Sequence, residues 1–279
     1  MFWVTDAEID TIIHDDLPYG DETTALMGIG GEQGSVQARN KTQGMVCGIE
    51  LAARAFERLG ATVVRHAKDG ETLEAQTPLL TATGSVDALH GVYKMAQVIM
   101  EYTSGIARRV DAMRQAAQAQ NPDCQIALTR KHFPGAKTLS LYAARLAGAS
   151  IHRTSLSESI LVFDQHRVFL DNPLEVVSKM KKKRPERRVI VEVDSTESAM
   201  QYVGAGADII QCERFAPDEL AKLVCRVKAE APAVNILAAG GINATNAGEY
   251  AATGIDAIVT SWPYWAQPAD VKMIFERKH

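Results

Sequence analysis

The pattern of hydrophobic and polar positions changes once along the chain. Up to about residue 107, helical and strand-like patterns are mixed. TDAEIDTIIH (5–14) predicts a short capped helix, SVQARNK and TVVRHA alternate as strands do, and residues 50–59 predict a second helix. Apolar residues at 89, 92, 96 and 99 predict a longer helix that places Lys94 off its apolar stripe. We therefore predict a first domain of mixed helices and strands that ends near residue 107.

From Arg108 onward the pattern becomes strand, turn, helix, repeated. The strand-like runs are CQIALT, SILVF, RVIVEVD, ADIIQC, VNILAAG and DAIVT, and most intervals between them have helical patterns of suitable length. Two repeats, 191–212 and 237–261, share the order strand, polar N-cap, helix, glycine, aspartate, strand. Such repeats predict a parallel α/β barrel, with an open doubly wound sheet as the alternative.

Composition and charge narrow the class of ligand. The 279 residues are 46% apolar and 23% charged, with a formal net charge of −4, which argues against a protein that binds nucleic acid by broad electrostatic attraction. An anionic small molecule fits this charge balance better. Acidic residues near the first methionine and the lack of an 18-residue apolar run predict a cytoplasmic protein. The cysteines at 47, 124, 212 and 225 lack metal-like spacing and are predicted to be reduced and buried.

Charged residues cluster where the predicted barrel strands end. In TRKHFPGAK (129–137), Pro134 and Gly135 must end the strand, so Thr129, Arg130 and Lys131 lie at its exit. The ends of later strands carry further charged or titratable residues: His152, Arg153, Glu192, Asp194 and Glu213. Because strand exits of a barrel meet on one face, these residues predict a pocket with a cationic half and an acidic half. Ion pairs at the barrel rim are the alternative interpretation of each residue.

The stretch AAGGIN (238–243) places Gly240 and Gly241 between a strand and a helix, with Asn243 as the predicted N-cap. Free backbone amides and the helix dipole favour a phosphate at such a position. Barrels often bind phosphate near their last two strands, which supports this interpretation. An ordinary tight turn is the alternative.

Four separated motifs together resemble one known family. TRKHFPGAK, GASIHRTSLSESILVFDQH, VEVDS and AAGGI are similar in order and spacing to motifs of the quinolinate phosphoribosyltransferases, also called nicotinate-nucleotide pyrophosphorylases. The resemblance implies an N-terminal α/β sandwich domain over 1–107, an α/β barrel over 108–268, and a segment 269–279 that returns to the first domain. It also implies a homodimer whose active sites combine one subunit's barrel with the partner's N-terminal domain. The LVFDQH form resembles the ModD branch, whose members are associated with molybdate transport.

The same resemblance implies a reaction and roles for the residues. The family transfers phosphoribose from phosphoribosyl pyrophosphate (PRPP) to a pyridine nitrogen, with Mg²⁺ neutralising the pyrophosphate. Glu192 and Glu213 match carboxylates that face the ribose hydroxyls and the metal, and Lys131 matches a phosphate ligand. Arg130, His152 and Arg153 match residues that line the acceptor side. Thr129, which precedes them, is also a predicted substrate-binding residue. Gly240 and Gly241 match the loop that holds the 5-phosphate.

Departures from the family motifs fall mainly on the acceptor side. Phe163 stands where the family has a lysine, and Lys94 where it has an arginine that reaches across the dimer. Glu213 replaces an aspartate and Ala239 a serine. A dicarboxylate such as quinolinate loses cationic partners here, so the predicted acceptor is another aromatic nitrogen heterocycle. The alternatives are a non-catalytic anion-binding protein, a genuine quinolinate phosphoribosyltransferase, and a Schiff-base enzyme using Lys131.

Overall fold

A computed structural model of the chain describes residues 4–278, in two compact units. The first unit comprises the described residues up to Asp111 together with His132–Ala147 and the residues from Pro263 onward, and the second comprises Ala112–Lys131 and Gly148–Trp262. The predicted domain ranges also include residues 1–3 and 279, which lie outside the described part. The boundary predicted near residue 107 falls inside one long helix, α4, which spans Val86–Gln118.

The first unit is built on a sheet of four strands in the order β13-β1-β5-β3. Thr5 caps the first helix in a capping box with Glu8, so this helix begins where the polar cap in the sequence predicts. The elements of this unit besides α4 are α1 (Asp6–Asp16), α2 (Glu22–Met27), β1 (Gln33–Asn40), β2 (Gly44–Met45), α3 (Ile49–Arg58), β3 (Thr62–Arg65), β4 (Thr72–Leu73), β5 (Pro78–Ser85), α5 (Lys137–Leu146) and β13 (Val271–Arg277).

One hydrophobic core holds this unit together. Val36 and Ala38 on β1 are fully buried, as are Phe56 on α3 and Leu89 on α4, and all four belong to the same cluster. The last strand, β13, pairs antiparallel with β1 along its whole length, from Asn40 opposite Val271 to Gly34 opposite Arg277. The end of the chain therefore supplies an edge strand to the sheet formed by its beginning.

The second unit contains a parallel sheet of seven strands in the order β7-β6-β12-β11-β10-β9-β8. The first strand of this unit, β6, pairs with its last strand, β12, as closure of a barrel requires, and the sheet is open between β7 and β8. The predicted α/β barrel is confirmed over the open doubly wound sheet. Its strands are β6 (Gln125–Leu128), β7 (Ser150–Ile151), β8 (Ile160–Val162), β9 (Val189–Val193), β10 (Ile209–Glu213), β11 (Asn235–Ala239) and β12 (Ala257–Thr260).

Helices follow most of the strands, as the repeated pattern predicts, but β7 leads to β8 without one. They are α6 (Asp164–Arg167), α7 (Pro173–Lys183), α8 (Thr196–Gly204), α9 (Pro217–Glu230) and α10 (Ala247–Ala252), and a 3-10 turn, Trp262–Trp265, follows β12. No helix in residues 4–278 has the length and apolar character needed to cross a bilayer.

Small apolar side chains form a separate cluster on the barrel strands. Ala127, Ala239 and Ala257 contact Leu237 and Val259 there, and Ile209 packs against this cluster. Side chains two residues apart on a strand share a face, so Gln211 and Glu213 lie on the same side of β10 as Ile209. Gln211 is also in register with Glu192 on β9. A polar group therefore adjoins an apolar cluster on one face of the barrel sheet.

The cysteine prediction is partly wrong. All four thiols are free, and Cys47, Cys124 and Cys212 are buried, but Cys225 is exposed. Cys225 lies on α9, next to the buried Val224, at a helical position that faces away from the core. Reduced cysteines carry no functional signal in this structure.

Candidate active site

The predicted site residues of the second unit lie at the ends of its parallel strands. Arg130 and Lys131 follow β6 closely, and Phe163 directly follows β8. The other residues at strand ends are His152 and Arg153 after β7, Glu192 near the end of β9, Glu213 at the end of β10, and Gly240 and Gly241 after β11. Since all seven strands run parallel, these ends share one edge of the sheet. The predicted convergence at the carboxyl edge of the barrel is therefore the arrangement seen.

Arg153 is a buried cation beside an aromatic ring. It is only 7% exposed, and its guanidinium lies over the ring of Phe163, 5.8 Å from Cζ to the ring centroid. Burial, and then the charge of Arg130, lower the pKa of Arg153. Neither guanidinium forms an ion pair with a carboxylate in the part of the chain described. Because a buried charge is costly unless it is paired, this arrangement favours binding of an anion.

His152 is neutral at physiological pH. Burial, and then the neighbouring charge of Arg153, lower the pKa of His152 to about 4. Its Nε2 atom is buried and has no hydrogen-bond partner among residues 4–278. A neutral imidazole can donate or accept a hydrogen bond, so His152 offers a ligand a polar contact that adds no charge.

Glu192 and Glu213 form the acidic half of the site. Burial, and then the charge of Glu213, raise the pKa of Glu192, so the two carboxylates lie close enough to repel each other. The charge of Lys131 also acts on Glu192, in the opposite direction. Gln211 donates a hydrogen bond from Nε2 to Oε2 of Glu192, at 2.6 Å. Two neighbouring carboxylates beside a lysine suit a ligand that carries or develops positive charge.

Phe163 packs within its own loop and against Arg153. Its ring stacks on His166 with centroids 5.8 Å apart and an interplanar angle of 15°. Nδ1 of His166 accepts a hydrogen bond from the backbone N–H of Phe163, at 3.0 Å. His166 therefore stabilises the loop that carries Phe163. The aromatic ring thus covers Arg153 at the position where the family motif places a second cation.

The two glycines after β11 differ in their surroundings. A Cβ on Gly240 would lie 2.5 Å from Cγ of Arg214 and 2.9 Å from Oε1 of Glu213, and its φ is +93°. Gly241, with φ of +74°, has no atom within 4 Å of such a Cβ. Only glycine therefore fits against Glu213 at position 240, and position 241 has room for a ligand.

The N-cap predicted at Asn243 is wrong. Helix α10 begins at Ala247, and Asn246 is its N-cap residue. The side chain of Asn243 instead accepts hydrogen bonds from the backbone and hydroxyl of Thr245, which forms a turn before the helix. Asparagine competes for backbone hydrogen bonds in this way, so the helix starts about one turn later than predicted.

Two predicted residues take no part in the contacts of this cluster. Asp194 is exposed just beyond β9, and no hydrogen bond or ion pair within the described residues connects it to Glu192 or Glu213. Lys94 belongs to the first unit, where it is exposed on α4 and its Nζ donates to Oε1 of Gln97 at 2.8 Å. Thr129 accepts a hydrogen bond from the backbone N–H of Lys131 at 3.1 Å, so it shapes the loop that carries the cations.

Three residues near the site were not predicted. Gln211 contacts Glu192, and Arg167 donates from Nη1 to the backbone oxygen of Glu192 at 2.5 Å. Arg214 has a φ of 59°, a left-handed conformation that is unfavourable for arginine, and its Nε lies 3.5 Å from Oε1 of Glu213. A glutamine inside an otherwise apolar strand was the only available signal in the sequence. The two arginines are ordinary loop and helix residues by pattern.

This combination of an open parallel barrel, charged strand exits and a glycine pair defines an α/β-barrel protein whose carboxyl edge suits an anionic ligand. Comparison with known families makes the assignment more specific. Residues 106–274 match the domain family described as "Quinolinate phosphoribosyl transferase, C-terminal domain". Residues 21–104 match the family described as "Quinolinate phosphoribosyl transferase, N-terminal domain". The chain belongs to the quinolinate phosphoribosyl transferase family, an enzyme family of the pyrophosphorylase type.

Individual relatives agree with this assignment. A protein of Pasteurella multocida (strain Pm70) named as a pyrophosphorylase, ModD, is 34% identical over 281 residues that cover all of both chains. A protein of the same name from Rhodobacter capsulatus is 37% identical over 88% of this chain and 96% of its own length. A nicotinate-nucleotide pyrophosphorylase of Methanothermobacter thermautotrophicus is 28% identical over 90% of this chain and 91% of its own. The resemblance to the ModD branch is therefore confirmed.

Solved structures share the fold. NadC from Streptococcus pyogenes superposes with a TM-score of 0.90 over 98% of this chain and 97% of its own, at 23% sequence identity. The nicotinate-nucleotide pyrophosphorylase of Ehrlichia chaffeensis superposes with the same TM-score of 0.90, over 98% of this chain and 99% of its own, at 21% identity. At these identities the similarity establishes the architecture of N-terminal domain and C-terminal barrel.

Proposed function

We propose that the protein transfers phosphoribose from PRPP to the nitrogen of an aromatic heterocycle other than quinolinate. In this reaction the bond from C1 of ribose to pyrophosphate breaks, its electron pair leaves with pyrophosphate, and the nitrogen lone pair forms the new bond to C1. One observation carries the proposal. Two mutually repelling carboxylates, Glu192 and Glu213, share one edge of the barrel with the guanidinium groups of Arg130 and Arg153, neither of which pairs with a carboxylate within residues 4–278.

The acidic half of the site suits the donor. Positive charge develops on the ribosyl group as pyrophosphate departs, and Glu192 and Glu213 would stabilise that charge and accept hydrogen bonds from ribose hydroxyls. Lys131, exposed beside Glu192, would contact phosphate oxygens. The free space at Gly241 and the close approach of Gly240 to Glu213 support a 5-phosphate at this loop.

Mg²⁺ fits the carboxylates present, provided that the substrate completes its coordination. No group of three or more His, Cys, Asp or Glu side chains in the described ranges could hold a metal ion by itself. Mg²⁺ commonly binds through one or two carboxylates plus waters and substrate phosphates. Glu192 and Glu213 would supply that protein share, and bound Mg²⁺ would neutralise charge on the pyrophosphate leaving group.

The acceptor side supports an anionic ring that carries less charge than quinolinate. Arg153 and Arg130 would bind one acidic group, and neutral His152 would provide a hydrogen bond. Phe163 covers Arg153 and brings no charge, so a second carboxylate would lose its partner on desolvation. Quinolinate is therefore the poorer acceptor in this proposal.

The remaining parts of the proposal concern assembly and cellular context. Dimerisation would bring Lys94 of one subunit to the partner's site, as the family pattern implies. The names of the relatives from Pasteurella multocida and Rhodobacter capsulatus support membership of the ModD branch, and the role connected with molybdate transport follows from the motif resemblance alone.

A screen for pyrophosphate release tests this function. Purified protein with PRPP and Mg²⁺ is mixed separately with heterocyclic monocarboxylates, quinolinate and neutral heterocycles, and pyrophosphate is measured by a coupled assay. We expect release with at least one acceptor other than quinolinate. Tight PRPP binding without release from any acceptor would favour a non-catalytic anion-binding protein, and release with quinolinate alone would identify a genuine quinolinate phosphoribosyltransferase. Lys131 trapped by borohydride with a carbonyl compound would favour the Schiff-base enzyme.

A further inference from the structure

Gln211 is a polar side chain in an unusual place. It lies in the middle of β10, between Ile210 and Cys212, which are both buried, and it is itself only 4% exposed. Its in-register neighbours are Glu192 on β9 and Leu237 on β11. A buried strand position beside an apolar cluster ordinarily holds an aliphatic residue, since a carboxamide must find partners for both its donor and its acceptor.

Only one end of this carboxamide is satisfied. Nε2 donates to Oε2 of Glu192 at 2.6 Å, whereas Oε1 is buried with no hydrogen-bond partner within residues 4–278. Rotating the amide by half a turn would bring two oxygens together, so the orientation that serves Glu192 is the favourable one. The unsatisfied oxygen is a cost to folding that a methionine or leucine would avoid. Within residues 4–278, the hydrogen bond to Glu192 is the polar contact that offsets this free-energy cost.

Glu192 needs such a contact to stay in place. Its carboxylate is repelled by Glu213, and a glutamate side chain has several rotamers that would move it away. Nε2 of Gln211 opposes this movement because it holds one carboxylate oxygen, whereas Nη1 of Arg167 holds only the backbone oxygen of the same residue. No hydrogen bond within residues 4–278 occupies the other carboxylate oxygen, Oε1, so a ligand can reach it.

We propose that Gln211 is a positioning residue that fixes the carboxylate of Glu192 for contact with the ribosyl group of the donor. The identity of the ligand rests on the proposed function, whereas the hydrogen bond between Gln211 and Glu192 does not. Gln211 acts through Glu192, because its own oxygen is closed off from solvent. A carboxamide performs this task without adding a third charge to the carboxylate pair.

The test compares Gln211→Met with Gln125→Met. Methionine has nearly the same shape as glutamine and lacks the donor, and Gln125 lies at the opposite end of a barrel strand, exposed, with its amide bonded to the backbone of Asp123. The affinity for PRPP with Mg²⁺ is measured by calorimetry and the melting temperature by calorimetric scanning. We expect Gln211→Met to weaken PRPP binding roughly tenfold, with a melting temperature equal to or above that of wild type, and Gln125→Met to bind normally.

A purely structural role predicts the reverse, a lower melting temperature with unchanged PRPP affinity, and that result would overturn the proposal. If Gln211→Met does not fold, Gln211→Leu also removes the donor without adding a charge, and it should weaken PRPP binding to a similar extent.

Crystal structures of wild type and Gln211→Met, without ligand, make the test independent of the reaction. We expect the Glu192 carboxylate to leave its wild-type position in the variant, and an unmoved carboxylate would refute the inference. Failure of the wild type to bind PRPP would instead refute the proposed function.

Discussion

Phe163 is the residue at which the acceptor site differs most from the family motif. The lysine expected there would pair with an acidic group, whereas the ring of Phe163 contacts Arg153 and His166. We therefore expect Phe163 to affect specificity in two ways: one cation is missing, and the remaining cation, Arg153, is held against an aromatic face. The ring is already covered by these neighbours, so it shapes the site more than it offers a free stacking surface.

Restoring the cation should restore activity toward quinolinate. In the double variant Phe163→Lys with Lys94→Arg, we expect formation of nicotinate mononucleotide from quinolinate to rise by about 10- to 1000-fold, because a charge-assisted contact to a desolvated carboxylate is worth a few kcal/mol. Chromatography of the product measures it. Phe169→Lys is the matched control, since Phe169 is 85% exposed nearby in sequence. Wild type that already turns over quinolinate as fast as the double variant would contradict this account of specificity.

The free energy of unfolding should depend on pH because of His152. Its folded-state pKa of about 4 lies below the unfolded value near 6.5, so the unfolded state binds the proton first as pH falls. The free energy of unfolding should therefore decrease between about pH 6.5 and 4, by up to about 3 kcal/mol from this residue, and this contribution should level off below pH 4.

Urea denaturation at a series of pH values measures the effect. The His152→Gln variant should lose that part of the pH dependence, and His14→Gln, which changes an exposed histidine on α1, should keep it. Parallel curves for wild type and His152→Gln would show that the imidazole is not buried in its neutral form.

At the scale of elements, the loop after β11 links the glycine pair to the acidic half of the site. Gly240→Ala should lower the free energy of unfolding by about 1–3 kcal/mol, for two reasons. Residue 240 has a left-handed backbone conformation, and the added methyl group would displace the side chain of Glu213 or Arg214. Gly241→Ala has a similar φ but open space, so it should cost less, about 1 kcal/mol. Urea denaturation ranks the two, and equal losses would mean that the close approach of Gly240 to Glu213 contributes nothing.

Elements with long periodic patterns could be predicted from sequence, and short ones could not. Six of the seven barrel strands correspond to apolar runs, whereas β7 has only the two residues Ser150 and Ile151, too few for a pattern to emerge. The start of α10 was misplaced because an asparagine turn precedes the helix and resembles a cap. Gln211 was missed because its importance depends on register with Glu192, which only the paired strands reveal.

In the molecule as a whole, the chain passes between the two compact units within a helix. Helix α4 runs across the boundary between them, and β13 brings the chain end back to β1. The two family matches meet at residues 104 and 106, within the same helix. The strand exits could be predicted because barrel topology makes polar residues converge. The burial of Arg153 against Phe163 could not, since it depends on how the loops after two different strands pack together.

We expect the carboxyl edge of the barrel to bind PRPP with Mg²⁺ through its charged groups, and a thermal-shift titration measures that binding. A ligand that binds only the folded protein raises the melting temperature by mass action, so wild type should be stabilised by PRPP with Mg²⁺. Lys131→Ala should lose most of this shift, and Lys222→Ala, which changes an exposed lysine on α9, should retain it. No shift for wild type at millimolar PRPP, or an equal shift for Lys131→Ala, would contradict the account.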